Sequence, residues 1–484
     1  MTATEHVLPP TATAPRRRGP ALVALLLGEA MNLLDATIVQ VAAPAIHADL
    51  GGSVSDIQWF TTAYTLPFAV LLITGGRLGD IAGRRRLFVL GVSGFTAASL
   101  ACALAPSVGV LIGFRAVQGA AAALIVPQTI GLIKTMFSGP ELSRALGSIG
   151  PVMGLSAVCG PLLGGVLTHA DLFGSSWRAA FLVNVPVSLV VLVLARKLPE
   201  NRAPRRPTLD LTGTLLAATG TGLLVLPLIG ADLADLSARS WAALAAGPAV
   251  LTVFALHQRR VAAAGRSPLV EPGLFTHRGF PAALVTSAAF FAVTNGLMTV
   301  VVLHLQVGLG IGVLESGLSL APWSAGLAVA SWAAGARLVR RHGQRVMPVG
   351  LGVLLAGTAG AVAVYHWADP AAYPWPLLLA LGVIGLGAGL FTPAFFTLAL
   401  KPLRPQELGT AAGLLNAVQQ LGATLGVAVL GTVYLGTAHP TGPAAAPHAA
   451  QAAFWAAAGL VALSLAGSRV MVGAMRADGR RDTA

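Results

Sequence analysis

Three charged residues stand inside long apolar segments of the chain: Glu29, Asp35 and Arg115. A charge within the hydrocarbon of a membrane is costly to insert and usually marks a functional position. Asn32 stands between the two acids at a spacing of three residues, so Glu29, Asn32 and Asp35 share one face of a helix. We therefore expect this polar stripe to face a cavity or a partner helix rather than lipid.

Asp35 and Arg115 are placed at comparable depths in their segments. With a helical rise of about 1.5 Å per residue, Asp35 lies roughly 15 Å and Arg115 roughly 10 Å from the outer ends. They could pair or share a polar cavity. A carboxyl group in apolar surroundings favours its protonated form, and a neighbouring guanidinium favours the ionised form. Such a group can load a proton on one side and release it on the other. The alternative is an ion pair that only holds two helices together.

Fourteen segments are long and apolar enough to cross a bilayer, since a spanning helix needs about 20 mostly apolar residues. If the N-terminus is inside, the inner loops and both tails hold every one of the 31 Lys and Arg except Arg115, Arg178 and Arg239. This asymmetry predicts the orientation of the chain, with both termini in the cytoplasm. The predicted crossings are 21–45, 57–77, 87–106, 109–133, 144–168, 178–196, 209–230, 241–258, 279–304, 313–337, 346–366, 375–400, 409–435 and 451–473.

The composition excludes several other classes of protein. Charged residues make up 10% of the chain, against about 25% in soluble domains. The net charge of +13 does not indicate a nucleic-acid partner, because the basic residues stand in short loops beside the membrane. Cys102 and Cys159 both fall inside predicted helices, which argues against a structural disulfide. We expect no metal site, no cofactor other than the proton as coupling ion, and no enzymatic activity.

The sequence repeats itself at a shift of about 260 residues. Gly75-Gly76-Arg77-Leu78 recurs as Gly335-Ala336-Arg337-Leu338, and Asp35 falls on Asn295. Helix pairs eight apart match in register, which predicts two related six-helix halves with helices 7 and 8 inserted between them. Parallel repeats around a midplane cavity are typical of secondary transporters. The predicted units are a cytoplasmic tail (1–20), a first bundle (21–196), a linker with the inserted helices (197–278), a second bundle (279–473) and a second tail (474–484).

These motifs resemble those of the major facilitator superfamily, specifically its fourteen-helix drug:proton antiporters. The loop Gly75–Arg86 resembles the signature between helices 2 and 3, although Ile81 stands where Arg is common. Leu34–Pro44 resembles the helix 1 motif, and Arg115–Gly119 the helix 4 motif. Gly150–Gly154 and Gly160–Gly165 resemble the helix 5 motif of exporters. The resemblance implies an all-α polytopic major facilitator fold of 6+2+6 helices. The candidate residues for proton coupling and substrate binding are Glu29, Asn32, Asp35, Arg115 and Gln118.

Two further sets of residues are candidates for the moving parts. The first is a gating loop, in which an acid among arginines could latch the inner side in one state: Gly75, Arg77, Asp80, Gly83, Arg84 and Arg85. The alternative for this loop is simple topogenic charge. The second is a seam on helix 5, where small residues allow close helix approach: Gly150, Pro151, Gly154, Gly160, Pro161, Gly164 and Gly165. The second bundle carries no acid away from the ends of its helices, so it is expected to supply mainly the apolar and aromatic lining of the cavity. The candidates for this lining, each with a core or lipid-facing position as the alternative, are Asn295, Phe290, Phe291, Trp323, Phe395, Phe396, Asn416 and Gln419.

The function predicted from these patterns is proton-coupled efflux of a lipophilic or amphipathic drug or antibiotic across the cytoplasmic membrane by alternating access. The transporter could be polyspecific or dedicated to one antibiotic made by its host. Two other classes stay open: a proton-coupled importer of a small nutrient, and a transport-inactive membrane receptor. The expected partners are a small-molecule drug, protons and the lipid bilayer, with no nucleic acid, and we expect a monomer.

Overall fold

A computed structural model describes residues 15–481, apart from 172–173, 203–207, 230–235, 278, 368–372, 402, 404–406 and 439–445. The described chain is helical, and its long helices are labelled after the predicted crossings. They are α1 (Pro15–Leu50), α2 (Asp56–Ala82), α3 (Arg84–Ala103), α4 (Val108–Met136), α5 (Ile149–Ala170), α6 (Asn184–Ala195), α7 (Leu211–Val225), α8 (Ala238–Ala263), α9 (Gly279–Leu303), α10 (Ala321–Ala333), α11 (Val346–Trp367), α12 (Trp375–Leu400), α13 (Leu408–Ala438) and α14 (Ala446–Arg481).

Thirteen stretches of the described residues are long and apolar enough to span a membrane. One of them, Val313–Trp367, is 55 residues long and contains both α10 and α11. A bilayer core of about 30 Å cannot hold such a length in one crossing. The chain instead turns at Gly343, whose φ of 53° lies in the left-handed region. The multi-pass helical architecture predicted from the sequence is therefore present.

Two helix boundaries differ from the prediction for physical reasons. The crossing predicted at 144–168 lies within Arg144–Ala170, a stretch long and apolar enough to span a membrane, but the helix is interrupted at Ser148, between a short helix (Gly139–Gly147) and α5. Pro151 has no N–H to donate to the preceding turn, and its ring opposes a continuous helix. At the other end of the chain, the tail predicted from 474 continues as helix to Arg481.

Glycines create similar close contacts in both bundles. Gly119 of α4 packs against the backbone of Tyr64 in α2, and Gly385 of α12 packs against the backbone of Trp323 in α10. Gly426 of α13 likewise contacts the Ala292 backbone of α9. A side chain at any of these positions would overlap a backbone carbonyl, so helices approach there only because the residue is small. The repeated contacts show the repeat of the sequence in three dimensions.

The two bundles meet on the outer side of the membrane. Gln40 Nε2 of α1 donates to Thr299 Oγ1 of α9 over 2.6 Å, and Gln306 Nε2 donates to the Val41 carbonyl over 2.9 Å. Near mid-membrane, Thr424 of α13 donates to Thr65 of α2 over 2.7 Å. These hydrogen bonds between the bundles lie at the middle or in the half that is predicted to face outward. The outer side is thus closed.

The inserted helix α7 packs on the flank formed by α2 and α13, and α8 packs against α7. Thr214 of α7 shares a hydrogen bond of 3.0 Å with Thr74 of α2. At the other end of the same segment, the Leu228 carbonyl accepts a 2.7 Å hydrogen bond from Thr432 of α13. The inserted segment is therefore bonded to both bundles, across the line where they meet.

Asp210 joins the start of α7 to the end of α8. Its carboxylate caps α7 through the Gly213 N–H and accepts hydrogen bonds from His257 and Gln258 of α8, each within 2.8 Å. Partial burial raises the pKa of this carboxyl, but the hydrogen bonds from His257, Gly213 and Gln258 more than offset it, so the pKa lies below its ordinary value. The stability that Asp210 contributes is therefore complete above its unfolded-state pKa and is lost as the pH falls through the lower folded-state value.

We expect Asp210→Asn to lower the stability of the purified protein at neutral pH by about 1 kcal/mol, because Asn can still cap α7 but loses the charge that strengthens the bonds from His257 and Gln258. The difference from the wild type should begin to shrink below about pH 4, where the carboxyl of the unfolded wild type takes up a proton, and should disappear once the pH falls below the lower folded-state pKa. Thermal unfolding of both proteins between pH 3 and 8 measures this. Thr208→Ala, an exposed change in the same linker, is the matched control. An equal loss of stability at every pH would contradict the electrostatic explanation.

Candidate functional site

Asp35 is the centre of a fully buried polar network within the first bundle. Arg115 Nη1 of α4 donates to Asp35 Oδ2 over 2.5 Å. Gln118 Nε2 donates to Asp35 Oδ1 over 2.8 Å, and Asn184 Nδ2 of α6 donates to the same oxygen over 2.7 Å. A buried carboxylate is tolerated only when charge and hydrogen bonds compensate its lost hydration. Here three side chains from two helices provide that compensation.

Arg115 is held on several sides. Its Nε donates to the Phe60 carbonyl over 2.9 Å, and its Nη1 also reaches Gln118 Oε1 at 2.7 Å. The guanidinium carbon lies 4.4 Å from the centre of the Tyr64 ring, a cation–π contact. Its Nη2 is buried and has no hydrogen-bond partner in the structure. The guanidinium thus has one unused donor that faces no acceptor in this conformation.

The structure brings together most of the predicted coupling residues but not all of them. Asp35, Arg115 and Gln118 bond directly. Asn32 joins through Tyr64, whose hydroxyl donates to Asn32 Oδ1. Glu29 lies apart from the Asp35 pair, buried nearer the start of α1, with Thr129 of α4 as its polar neighbour. The stripe on α1 therefore contains two separate carboxylates, with Asn32 between them in the sequence.

Three members of the network were not predicted from the sequence. They are Tyr64, Ser99 and Asn184, and Ser99 Oγ accepts a 2.8 Å hydrogen bond from Gln118. Asn184 offers the clearest sequence signal, because it is an amide within the otherwise apolar segment of helix 6. Ser99 carries no such signal, because Ser hydroxyls within helices commonly bond to their own backbone. Tyr64 carries none either, because a single aromatic residue in an apolar helix is ordinary.

The gating loop bonds to its own bundle and to the linkers. Asp80 pairs with Arg84 over 2.5 Å, and Arg84 Nη1 reaches the Pro127 carbonyl at 3.4 Å. Arg77 Nη2 donates to the Pro268 carbonyl, 2.8 Å away in the linker after α8. Gly75 packs against the Ala123 backbone. In this conformation, the hydrogen bonds described for the loop do not reach the helices of the second bundle.

Glu200, which follows α6, is a further partner of this loop that the sequence did not reveal. Its carboxylate accepts from the Arg85 N–H over 3.2 Å and lies 3.7 Å from Arg86 Nε. The same carboxylate lies against Gly83, whose φ is 113°. A side chain at Gly83 would collide with Glu200 and also adopt a strained backbone. The start of α3 is therefore fixed to the end of α6 by one carboxylate.

The seam residues of α5 divide into two groups. In the outer half, Gly160 packs on Thr37 and Gly164 on Ile38, both in α1, while Gly165 contacts Val313 and Gly317 of the short helix before α10. Pro161 lies in the same stretch, and its carbonyl contacts Gly317. In the inner half, Gly150 and Gly154, which flank Pro151, have open space where a side chain would project. The α5 seam is therefore tightly packed around Gly160–Gly165 and unpacked around Gly150 and Gly154.

The residues of the second bundle that were expected to line a cavity fall into two groups, one buried in the core and one partly exposed. Phe290, Phe391 and Phe395 form a stacked row, with centroids 4.0 and 5.1 Å apart, and are buried in the core. Trp323 is buried as well. Phe291, Asn295, Phe396 and Asn416 remain partly exposed, and Gln419 is buried with an Nε2 that has no partner. Within the described residues, no cluster of His, Cys, Asp or Glu could hold a metal ion.

Comparison with known proteins identifies the family. Residues 25–427 match the Major Facilitator Superfamily. A probable actinorhodin transporter of Streptomyces coelicolor is 43% identical over 87% of this chain and 73% of its own length. A puromycin resistance protein of Streptomyces alboniger is 36% identical over 89% and 85%, and a tetracenomycin C resistance and export protein of Streptomyces glaucescens is 34% identical over 86% and 76%.

Solved structures show the same fold. A bacterial homologue of the human lysosomal transporter Spinster, described as inward-facing and occupied, superimposes with a TM-score of 0.65 at 17% identity, covering 95% of this chain and 97% of that one. The peptide transporter POT in complex with sulfate gives 0.66 at 16% identity, with 95% of each chain covered. The match to the family over most of the sequence and the shared fold agree: this chain belongs to the Major Facilitator Superfamily.

Proposed function

We propose that the protein is a proton-coupled exporter of the cytoplasmic membrane that carries a lipophilic or amphipathic antibiotic or drug out of the cell. The observation that carries the coupling is the fully buried Asp35 carboxylate, ion-paired with Arg115 and bonded to Gln118 and Asn184. The outward direction is supported by relatives whose names describe export and resistance. The chain itself is a multi-pass membrane protein, and both termini are proposed to lie in the cytoplasm.

Protonation of Asp35 would change the energy of the whole network. The neutral acid no longer balances the charge of Arg115, which would then be buried without a counter-ion. An uncompensated buried charge is strongly unfavourable, by about 3–5 kcal/mol when a buried pair is broken. Movement of α1 relative to α4 relieves this cost by giving Arg115 other partners or water. The protonation state of one carboxyl would thereby select between two arrangements of the bundle.

Glu29 is proposed to act on the inner side of the same helix. It lies about 9 Å from the level of Asp35 along α1, with Asn32 and Tyr64 between them. At this depth it can meet the cationic group of a substrate that enters from the cytoplasm. Substrate and proton would then compete for connected carboxylates, which is the minimum requirement for exchange between them.

We expect Glu29→Gln to affect substrates unequally. Export of cationic compounds should fall roughly tenfold, equivalent to losing about 1.4 kcal/mol of binding, while export of neutral compounds should change little. Efflux of paired cationic and neutral fluorescent substrates from cells measures the difference. Glu271→Gln, an exposed acid in the linker, is the control and should affect neither class. An equal loss for both classes would remove Glu29 from substrate recognition.

The proposed function is tested by expression in a pump-deficient host. A panel of antibiotics is scored for susceptibility, and accumulation of any protected compound is measured with and without a protonophore. If the protein is an exporter, cells that express it should accumulate less compound, and the protonophore should restore accumulation to the level of control cells. Higher accumulation driven by the proton gradient would identify an importer. No change across a broad panel, despite normal membrane expression, would support a transport-inactive protein and overturn the proposal.

A further inference from the structure

The inner ends of α11 and α14 enclose a cavity of about 340 Å³ on the cytoplasmic side. Arg345, just before α11, and Arg469, near the inner end of α14, line it together with the apolar side chains of Pro348 and Val472. Both arginines are exposed. Among the residues that the structure describes, no carboxylate forms an ion pair with either of them. Two cations thus flank one largely apolar cavity, and no carboxylate whose side chain the structure describes pairs with them.

The internal repeat shows what occupies the equivalent place in the first bundle. The shift of 260 residues aligns Gly343 with Gly83 and Arg345 with Arg85, and both glycines have a positive φ, 53° and 113°. In the first bundle the Glu200 carboxylate sits at this point, where it accepts from the Arg85 N–H and lies beside Arg86. In the second bundle, the corresponding corner between the start of α11 and the end of α14 is the cavity. An anion bound in this cavity would occupy the place that the Glu200 carboxylate has in the first bundle.

The surroundings of the cavity indicate where that anion comes from. Val349 of α11 and Val470 of α14, next to the lining residues, are 55% and 59% exposed, which is expected for side chains that contact lipid. The two arginines belong to the basic inner set of residues that sets the topology of the chain. They therefore lie at the level of the inner-leaflet headgroups, where anionic phospholipids attract basic residues.

We propose that this cavity binds an anionic phospholipid of the inner leaflet. Its phosphate lies between Arg345 and Arg469, in the role that the Glu200 carboxylate has in the first bundle. Its acyl chains follow the apolar faces that carry Val349 and Val470. The lipid joins the start of α11 to the end of α14, as Glu200 joins α3 to the end of α6. This inference does not depend on the transported substrate or on proton coupling.

Native mass spectrometry of the purified full-length protein tests the site. Phosphatidylglycerol, phosphatidylcholine and inorganic phosphate are each titrated onto the wild type and onto Arg345→Gln/Arg469→Gln. Loss of charge-assisted hydrogen bonds should weaken phosphatidylglycerol binding roughly tenfold in the double variant. The control is Arg340→Gln/Arg341→Gln, which removes the same charge from exposed positions in the same loop and should keep wild-type affinity.

The outcomes separate the possible ligands. Selective binding of phosphatidylglycerol that only the Arg345/Arg469 pair abolishes supports the lipid site. Equal affinity for phosphatidylcholine, or an equal loss in the control variant, overturns it. Binding of inorganic phosphate that blocks phosphatidylglycerol would show a soluble anion site and would also overturn it. Because every readout is binding, the result is independent of whether the protein exports drugs.

Discussion

Replacing Asp35 with Asn is expected to abolish uphill export while leaving the protein folded and inserted in the membrane. Asn keeps the size of the side chain and can still bond to Gln118 and Asn184, but it cannot exchange a proton. Export against a gradient is measured in proteoliposomes with an imposed pH difference. Its rate should fall by roughly 100-fold or more, which corresponds to about 2.7 kcal/mol of activation free energy. Downhill exchange of labelled for unlabelled substrate should remain.

Two companion variants separate coupling from stability. Arg115→Lys should reduce uphill export about tenfold or more, because a point charge cannot reproduce the bonds to Asp35, Gln118 and Phe60 that the planar guanidinium makes. Asp35→Asn/Arg115→Gln removes both charges, so its thermal stability should exceed that of Asp35→Asn, which leaves Arg115 unpaired. Its uphill export should stay absent. Full uphill export in Asp35→Asn would exclude this carboxyl as the coupling group.

The second large effect is expected from the two ends of α5. Leu at Gly165 cannot fit against Val313 and Gly317, so the outer ends of α5 and α10 should fail to close. Leu at Gly154 occupies space that is open in this conformation, so it should oppose closure of the inner side instead. Both variants should lower export more than tenfold. Adding a large side chain to a close-packed contact typically costs about 1–3 kcal/mol, and here that cost opposes the closed state of one side.

The two α5 variants are distinguished by labelling. A cysteine at Leu314, on the outer side beside Gly165, should react faster with a membrane-impermeant thiol reagent in Gly165→Leu and more slowly in Gly154→Leu. Gly352→Leu, at an exposed position with open space on α11, is the control and should change neither export nor labelling. Identical labelling in both α5 variants would contradict the assignment of α5 as the moving seam.

Much of the fold was predictable because membrane insertion imposes strong rules on sequence. Long apolar segments and one-sided basic loops determine the crossings and their order, and the 260-residue repeat relates the halves. The Asp35–Arg115 contact was predictable for the same reason, since a charge at membrane depth needs a compensating partner. Helix breaks such as Ser148 were harder, because apolar periodicity continues through a kink and only Pro151 hints at it.

The parts that the sequence did not reveal depend on helix rotation and neighbour identity. Phe290, Trp323 and Phe395 look like cavity aromatics in the sequence, yet they are core residues, because hydropathy alone does not distinguish a wall facing a cavity from one facing another helix. In the sequence, Glu200 is indistinguishable from any acidic residue of a polar loop. Its role at the start of α3 arises from a fold that brings the end of α6 beside Gly83, a contact separated by more than a hundred residues.

The placement of the inserted helices makes the two flanks of the transporter mechanically unequal. On one flank, α7 is hydrogen-bonded to α2 through Thr214 and to α13 through Leu228. On the other flank, α5 meets the segment before α10 with close contacts at Gly165 and Gly317. A rocking motion turns about the stiffer side, so its axis should lie near α7. Displacement grows with distance from a rotation axis, so α5 should move further than α7. Gly150 and Gly154 of α5 have open space beside them, which leaves room for this movement.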